Sequence, residues 1–414
     1  MVKNMFINVD SENKKLKNSI LALSAEAIAM KKKDNTTINA TAGTMKNEDG
    51  SLYEFSCVEK VLKSLNVNQK FAYSDSSGSP AYNKAVIKTV FGKYIDEIRK
   101  TCYVESIPTP GGTGALNLAF NNYVGRGETV LLPNHMWENY LNCAKEMDFV
   151  PQTYLLFDEE GNFNDKDIDK QVNIIKQKQN RIMILVNDPC ENPTGFCMTD
   201  DDYDRLIDIS KNHPETKFIY LMDIAYFDFY NTDPDLVRSR FAKFKDMPDN
   251  ALTLFTFSGS KSFGLYGLRI GSLIIMSKQE KEITMFLDAN NFSCRVIWSS
   301  CSTLGMSLIE NLVLNEDYNY LYEEEIKSVC SLLESRSIAF LKAAKEVGLK
   351  TLPYKRGFFI CVPVDNPDEI RKKLHEDKVH LISTKCCLRI ALCAINKDEA
   401  ARLPAIIKNR LNNL

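Results

Sequence analysis

The chain has 414 residues, of which 52 are Lys or Arg and 54 are Asp or Glu, so its formal net charge is −2. This balance gives no general electrostatic attraction to nucleic acid or to anionic membranes, and an apolar fraction of 44% is enough for a large core. Twelve scattered cysteines without a C-x-x-C pair, four histidines without metal-site spacing, and the lack of any apolar run of signal-peptide or membrane-span length predict a cytoplasmic protein with reduced thiols, no membrane partner and no metal site.

The predicted elements begin with a helix over residues 18–33, which leads into a loop or edge strand over residues 37–43. From about residue 100 to residue 280, short apolar runs alternate with polar stretches of helical length. The clearest apolar runs are residues 129–132, 182–186, 218–222, 252–255 and 273–276. Near-continuous apolar strands separated by helices predict an α/β fold with a mostly parallel sheet that is covered on both faces. Ligands bind such sheets at the carboxyl ends of the strands.

The C-terminal part of the chain predicts a smaller unit. Residues 316–347 have the pattern of a long helix, and strands are expected within residues 358–362 and 379–393. We expect residues 1–50 to form an N-terminal arm and part of the small domain, residues 51–312 the large domain, and residues 313–414 the rest of the small domain. The small α+β domain would therefore be made from both chain ends.

Two candidate binding features follow early strands of the predicted sheet. Residues 111–114, GGTG, precede a predicted helix over residues 115–123, and free backbone N–H groups at such a helix start can bind an anion. The loop lacks the Lys of a P-loop and the spacing of a dinucleotide loop, so ATP and NAD fit poorly, while a plain Gly-rich turn fits equally well. Trp137 follows the next strand and could stack on a planar cofactor, although core packing is the more common role of a Trp.

Two further motifs end neighbouring strands. Residues 187–195, NDPCENPTG, predict a rigid turn that can aim an amide at a ring oxygen, but ordinary turns use the same residue types. Asp223 and Tyr226 place a carboxylate and a phenol three residues apart at the end of the following strand. A protonated pyridine nitrogen is one partner for such an acid, and the alternative is a helix N-cap Asp beside a packed Tyr.

Lys261 has the most informative surroundings in the chain. It lies within residues 258–271, SGSKSFGLYGLRIG, directly after the apolar run of residues 251–257. A lysine at the end of a buried strand must be neutralised, paired or used covalently. The neighbouring hydroxyls and Arg269 fit a Schiff base to an aldehyde cofactor that also carries a phosphate, and the alternative is a solvated surface lysine.

Taken together, the motifs GGTG, Trp, NPTG, D-x-A-Y and S-x-S-K-x-F-G-L-Y-x-x-R-x-G, in this order, resemble the fold-type I, pyridoxal-phosphate-dependent class I aminotransferases. Within them the chain is most similar to the aspartate/aromatic aminotransferase group. The resemblance extends from Asn18 through the region after Arg389. It implies a fold-type I architecture, pyridoxal 5'-phosphate as the cofactor, and a homodimer in which the active sites are shared between subunits.

Matched position by position, the resemblance implies roles at the cofactor. Lys261 carries the cofactor as a Schiff base and later moves a proton, while Asp223 keeps the pyridine nitrogen protonated. Tyr226 and Asn192 hydrogen-bond the ring oxygen, and Trp137 stacks on the ring. The phosphate is bound by Gly112, Thr113, Ser258, Ser260 and Arg269, and by Tyr73 from the other subunit.

The resemblance also implies a substrate site. Arg389 binds the α-carboxylate with its planar fork, the backbone of Gly43 meets the same carboxylate, and Phe359 lines the pocket. Arg295, ten residues before Gly305, matches the arginine that binds the distal carboxylate of aspartate or glutamate across the dimer interface. The alternative for Arg295 is an ordinary surface arginine.

Departures from the family pattern, which include the following two, affect the tuning of the cofactor and the substrate specificity rather than the type of reaction. Gly111 stands where aspartate aminotransferases often have a serine, and Tyr140 stands where a histidine often lies behind the Asp that meets the pyridine nitrogen. With these departures, the resemblance leaves the choice between aspartate and aromatic substrates open.

We therefore expect a ping-pong aminotransferase that moves an amino group between an L-amino acid, aspartate or glutamate and also aromatic ones, and a 2-oxo acid. The alternatives are an aromatic aminotransferase with poor aspartate use, another reaction on the same cofactor such as decarboxylation or elimination, and a cofactor-binding regulator. A regulator would need a DNA-binding segment, and the sequence offers neither a basic stripe nor a spare N-terminal domain.

Overall fold

The computed structural model describes residues 6–7, 11–12, 14–15 and 20–413. Residues 18 and 19 of the predicted first helix, and most of the N-terminal arm before it, lie outside the described residues. The helix itself is present as Ile20–Lys33.

The helices and strands of the described part are named here in chain order. The α-helices are α1 Ile20–Lys33, α2 Ser56–Ser64, α3 Val67–Phe71, α4 Pro80–Phe91, α5 Ile95–Ile98, α6 Gly111–Tyr123, α7 Asn139–Met147, α8 Asp165–Ile175, α9 Asp200–Asn212, α10 Asp235–Ala242, α11 Gly259–Ser262, α12 Glu280–Ile297, α13 Thr303–Leu314, α14 Glu316–Glu346, α15 Pro367–Glu376 and α16 Lys397–Asn412. The strands are β1 Ile38–Asn39, β2 Tyr103–Thr109, β3 Thr129–Pro133, β4 Val150–Tyr154, β5 Arg181–Asn187, β6 Lys217–Asp223, β7 Ala251–Ser258, β8 Gly271–Ser277, β9 Phe359–Pro363, β10 Val379–His380, β11 Ile382–Ser383 and β12 Cys387–Ala391.

The large sheet has the strand order β2-β8-β7-β6-β5-β3-β4 within the described residues. Neighbours from β7 to β4 are parallel, and β8 runs antiparallel to both β7 and β2. The mostly parallel sheet predicted from the apolar runs is confirmed, and each of the five runs became a strand. Sequence patterns missed β2 and β4; β4, VPQTY, lies at the sheet edge with mostly exposed side chains, so it has no apolar run to detect.

Burial on both faces explains why these strands are apolar throughout. Along β8, Leu273 and Ile275 join one buried cluster, while Ile274 and Met276 join another on the opposite face. Helix α6 packs against β7 and β8, and helix α4 packs against β2. The sheet therefore contributes to two hydrophobic cores, and packing on both faces fixes the positions of its strand ends.

A smaller unit is built from both ends of the chain. Strand β1 pairs in parallel with β10, and β9, β12 and β11 form an antiparallel sheet. These strands, α14 and α16 enclose a third buried cluster. The small α+β domain from both chain ends is thus confirmed, while boundaries at residues 50 and 312 stay a prediction. Among the described residues, no helix is long and apolar enough to cross a membrane.

Candidate active site

A cavity of about 450 Å³ lies where β5, β6 and β7 end. Most of the residues that the sequence singled out line it: Gly43, Gly112, Thr113, Trp137, Asn192, Asp223, Tyr226, Ser258, Ser260, Lys261, Arg269, Phe359 and Arg389. Further lining residues to which the sequence assigned no binding role are Ala42, Thr44, Leu116, Tyr140, Asn187, Ala225 and Tyr266. Parallel strands that end at one edge bring motifs from distant parts of the chain into a single pocket.

Lys261 lies on α11, the single helical turn that follows β7. Its Nζ donates a hydrogen bond to the backbone oxygen of Gly43 at 2.5 Å and lies 4.8 Å from the centre of the Tyr266 ring. Burial lowers the pKa of Lys261 to about 8, and the positive charges of Arg389 and Arg269 act in the same direction. A substantial fraction of this amine is therefore neutral near physiological pH, as a nucleophile or base requires.

Asp223 is the last residue of β6 and is buried. Its Oδ2 accepts a hydrogen bond of 2.6 Å from the hydroxyl of Tyr140, and its Oδ1 accepts one of 3.2 Å from the backbone N–H of Ala225. Burial raises the pKa of Asp223, and these two hydrogen bonds oppose the rise. A cation placed in the cavity would lower this pKa and relieve the cost of burying the charge.

Asn187 connects Asp223 to Asn192. Its side-chain nitrogen donates to the backbone oxygen of Asp223 at 2.7 Å, and its side-chain oxygen accepts from the backbone N–H of Asn192 at 2.8 Å. The Asn192 side chain in turn accepts a hydrogen bond of 3.3 Å from Nη1 of Arg389. The sequence placed Asn187 at the start of the segment of residues 187–195 but gave no hint of this bridging role, which depends on the pairing of β5 with β6.

The amino end of α6 forms a cradle with Arg269. The helix begins at Gly111, so the glycines predicted to precede it form its first turn. Gly111 has φ +76°, and a Cβ there would lie 2.6 Å from Nη2 of Arg269. Arg269 Nη1 donates to the hydroxyl of Ser260 at 3.1 Å. Free helix N–H groups, serine hydroxyls and a guanidinium around one space fit an anion such as a phosphate.

Arg389 projects from β12 and is buried. Its described hydrogen-bond partners are neutral oxygens: Nη2 donates to the backbone oxygen of Thr41 at 2.7 Å, and Nη1 donates to Asn192. Within the described residues, its buried Nε has no partner, and burial lowers the pKa of the guanidinium. The Phe359 ring centre lies 4.4 Å from its central carbon. A buried cation with spare hydrogen-bonding capacity fits a carboxylate ligand.

Aromatic rings form the remaining walls of the cavity. Tyr226 packs against Phe358 and Phe359 with ring centres 5.3 and 5.6 Å apart. Trp137 is partly buried and meets Tyr140 edge to face at 5.7 Å. A side chain at Gly43 would force the Phe359 ring to move, because a Cβ there would lie 2.6 Å from the tip of that ring. The cavity therefore offers flat apolar surfaces between the buried arginine of β12 and the cradle at the start of α6.

The structure does not bring Tyr73 or Arg295 to the cavity of their own chain. Tyr73 is 96% exposed, and Arg295 is an exposed residue near the end of α12 that donates to the hydroxyl of Ser299. The chain segments that carry them touch each other, since Ser76 donates to the side chain of Asn291 at 2.5 Å. Both residues thus lie on one part of the surface.

Residues 36–407 match the family model for aminotransferase class I and II, which is most of the chain. The chain belongs to the class I and II aminotransferases. Members of this family are pyridoxal-phosphate-dependent transaminases, so the cofactor and reaction type expected from the motifs are confirmed. The alternatives of a regulator or another reaction on this cofactor have no comparable support.

This aminotransferase is 26% identical over 371 residues to the aspartate aminotransferase of Pseudomonas aeruginosa, a match that covers 87% of this chain and 89% of that protein. It is 27% identical over 291 residues to the aromatic-amino-acid aminotransferase of the same organism, covering 68% of this chain and 69% of that one. The crystal structure of an aminotransferase from Anaerococcus prevotii superposes with a TM-score of 0.92 at 26% identity over 99% of both chains. The fold-type I architecture is confirmed.

The described side chains fit pyridoxal phosphate at each of its charged ends. Asp223 is a buried carboxylate in need of a cation, which a protonated pyridine nitrogen supplies. The cradle of α6 and Arg269 suits the phosphate, and a Cβ at Gly111 would displace the Arg269 guanidinium from its present position. Lys261, with its lowered pKa, lies in the same cavity.

Proposed function

We propose that this aminotransferase exchanges amino groups between aspartate or glutamate, with aromatic amino acids as further substrates, and 2-oxo acids, and that it works as a homodimer. The observation that carries the proposal is the buried Arg389, whose Nε has no partner in the described part of the chain and which shares one cavity with Lys261 and Asp223. A free α-carboxylate is the group that such a guanidinium can bind with two parallel hydrogen bonds.

The cofactor would be held by the residues that line the cavity. Asp223 would pair with the ring nitrogen, Tyr226 and Asn192 would donate to the ring oxygen, and Trp137 would cover one face. The phosphate would be bound by Gly112, Thr113, Ser258, Ser260 and Arg269, with Tyr73 contributed by a second copy of the chain. When bound, pyridoxal phosphate supplies an aldehyde that exchanges amines and a ring that takes up electrons from the substrate Cα.

The protein's own part in the reaction is to orient the substrate and to move a proton. Arg389, with the Gly43 backbone and Phe359 beside it, would fix the α-carboxylate. The Lys261 amine would take the proton from the substrate Cα and pass it to the cofactor within the first half of the cycle, and it would move a proton in the opposite direction in the second half. Its pKa of about 8 leaves part of the amine free to accept that proton near neutral pH.

An exposed apolar surface supports the dimer. Phe71 and Phe292 are 79% and 71% exposed, and Tyr73 and Val296 are also largely exposed. Large apolar side chains grouped beside a binding residue are unusual on a lone subunit, because they cost free energy in water. The segments that carry them are joined by a hydrogen bond from Ser76 to the side chain of Asn291. A second copy would cover this surface and bring Arg295 to the neighbouring cavity, where it would bind a distal carboxylate.

We propose that this chain is located in a reducing compartment. All twelve cysteines lie in the described part of the chain and are free thiols. Such a chain is typical of a cytoplasmic protein, and we include that location in the proposal.

The shared site can be tested with hybrid dimers of Lys261→Ala and Arg295→Ala chains that carry different affinity tags. Each parent dimer should have little activity with aspartate. The purified hybrid contains one cavity with Lys261 of its own chain and Arg295 of the other, so it should recover about half of the wild-type activity. A hybrid that stays inactive, or chains that do not dimerise, would contradict the proposal.

The aromatic walls of the cavity favour a second candidate, an enzyme that uses aromatic amino acids and handles aspartate poorly. Tyrosine needs no distal carboxylate, so the Arg295→Ala dimer should keep its tyrosine activity in either case. The two candidates differ in the wild-type enzyme: the main proposal requires aspartate activity that falls when Arg295 is removed, whereas the second predicts little aspartate activity from the outset.

A further inference from the structure

A cluster of soft metal-binding side chains lies outside the active-site cavity. His135, Cys386 and Cys387 place one ligand atom each within 4.8 Å of one another. His135 lies in the loop after β3 of the large sheet, while Cys386 ends the turn between β11 and β12 of the small sheet and Cys387 begins β12. Sequence spacing did not predict a site here, because His135 and Cys386 are 251 positions apart.

The geometry of the cluster is close to that of a zinc site. Zinc binds thiolate sulfur at about 2.3 Å and imidazole nitrogen at about 2.0 Å, so two such ligands on a tetrahedral ion lie about 3.5 Å apart. The Cys386 sulfur lies 3.7 Å from Nδ1 of His135. The Cys387 sulfur lies 3.0 Å from the Cys361 sulfur, which is a fourth donor beside the cluster. The three donors of the cluster lie within 4.8 Å of one another, a little wider than the spacing of ligands around a bound zinc ion.

The solvent exposure of the two cysteines also suits a metal site. Cys386 is exposed and gives an ion access from solvent, while Cys387 is fully buried. Thiolate and imidazole ligands prefer zinc over magnesium or calcium, which favour oxygen. Binding would release the thiol protons to solvent as the sulfur–metal bonds form, without any change of oxidation state.

We propose that His135, Cys386 and Cys387 bind a zinc-class ion that ties the small sheet to the large one. The ion would join the loop that leads to Trp137, two residues after His135, to the strand that carries Arg389, two residues after Cys387. Both of these neighbours line the active-site cavity. The link would thereby restrain two walls of that cavity relative to each other.

Equilibrium dialysis of the cofactor-loaded enzyme against zinc, with a phosphine to keep the thiols reduced, tests the proposal. One zinc ion per chain is expected, and Cys386→Ser and His135→Asn should each lose it. His375→Asn, which removes another partly buried histidine, should keep it and serves as the control.

Three results would overturn the proposal. The first is that no zinc binds, and the second is that zinc binding survives both substitutions. The third is that binding is lost in Cys386→Ser but survives in His135→Asn, because the ion would then be held by the cysteines alone. Bound metal is counted directly and independently of transamination, so failure of this proposal is distinguishable from failure of the proposed function.

Discussion

The hydroxyl of Tyr140 donates a hydrogen bond of 2.6 Å to Oδ2 of Asp223 inside the protein. This bond stabilises the charged carboxylate and so opposes the rise in the Asp223 pKa that burial causes. The phenol thus takes the position, and we infer also the task, of a group that keeps this acid ionised beside the cofactor.

Replacing Tyr140 with Phe should therefore weaken the cofactor site. The pKa of Asp223 would rise further, its attraction for a protonated ring nitrogen would fall, and a hydrogen bond to a charged group is worth about 1.5–3 kcal/mol. We expect kcat/KM to fall about 10- to 100-fold and cofactor affinity to fall with it. Tyr154→Phe is the matched control, because its buried hydroxyl donates to the Leu185 backbone instead. Equal kinetic losses in the two variants would argue against the role given to Tyr140.

Gly111→Ala should release the cofactor. Its φ of +76° strains an alanine, and the new Cβ would push Arg269 out of the cradle at the start of α6. Gly127→Ala separates the two effects, since Gly127 has φ +75° and nothing within 4 Å of its Cβ position. Both variants should lose about 1 kcal/mol of stability. Only Gly111→Ala should raise the Kd for pyridoxal phosphate, measured by equilibrium titration; a similar Kd in both would show that the cradle is not the phosphate site.

Arg389→Lys should raise KM for every amino acid substrate. Lysine keeps the charge but lacks the planar fork that matches a carboxylate, so about 10- to 100-fold weaker substrate binding is expected. Arg336→Lys alters another buried arginine, which pairs with Glu48, and should reduce stability without changing KM. Steady-state kinetics and urea unfolding of both variants separate the two effects. An unchanged KM in Arg389→Lys would exclude Arg389 as the carboxylate ligand.

The raised pKa of Glu191 allows a prediction of how the free energy of unfolding depends on pH. Burial raises its pKa from 4.5 to about 8, so the folded state holds this proton more tightly than the unfolded chain does. The stabilisation is complete below about pH 4.5 and is lost as the pH rises toward 8. Glu191→Gln cannot ionise, so its free energy of unfolding relative to wild type should increase between pH 5 and pH 8, by on the order of a few kcal/mol.

Denaturant unfolding at both pH values measures this difference. Glu59→Gln, on the exposed face of α2, is the control and should follow the wild type across the range. Parallel pH profiles for Glu191→Gln and wild type would mean that Glu191 titrates near its ordinary pKa.

The sequence indicated which residues come together at the cavity better than it indicated the groups that hold them in place. Asp223, Asn192 and Lys261 were recognisable because each polar motif follows an apolar run, and the ends of parallel strands share one edge. The Asn187 bridge depends on strand register, which no local pattern carries, and the position of Tyr140 behind Asp223 came from the family resemblance rather than from a local pattern. Edge strand β4 was missed for lack of an apolar run.

The sequence patterns also did not predict contacts between segments that lie far apart in the chain. The single turn of α11 beneath Lys261 brings its amine to Gly43, 218 positions away. Tyr73 and Arg295 illustrate a further limit: we propose that they act in a second subunit, and in their own chain they look like ordinary surface residues.

The half-reaction is the most direct test of transamination at Lys261. The cofactor-loaded enzyme is mixed with excess L-aspartate, or with L-tyrosine, in the absence of any 2-oxo acid. Transamination predicts that one equivalent of 2-oxo acid forms per active site and that turnover then stops, as the absorption of the cofactor changes from its lysine-bound form to its amine form. Lys261→Ala should show no such conversion. Continuous release of carbon dioxide or ammonia with the cofactor unchanged, or an active Lys261→Ala enzyme, would contradict it.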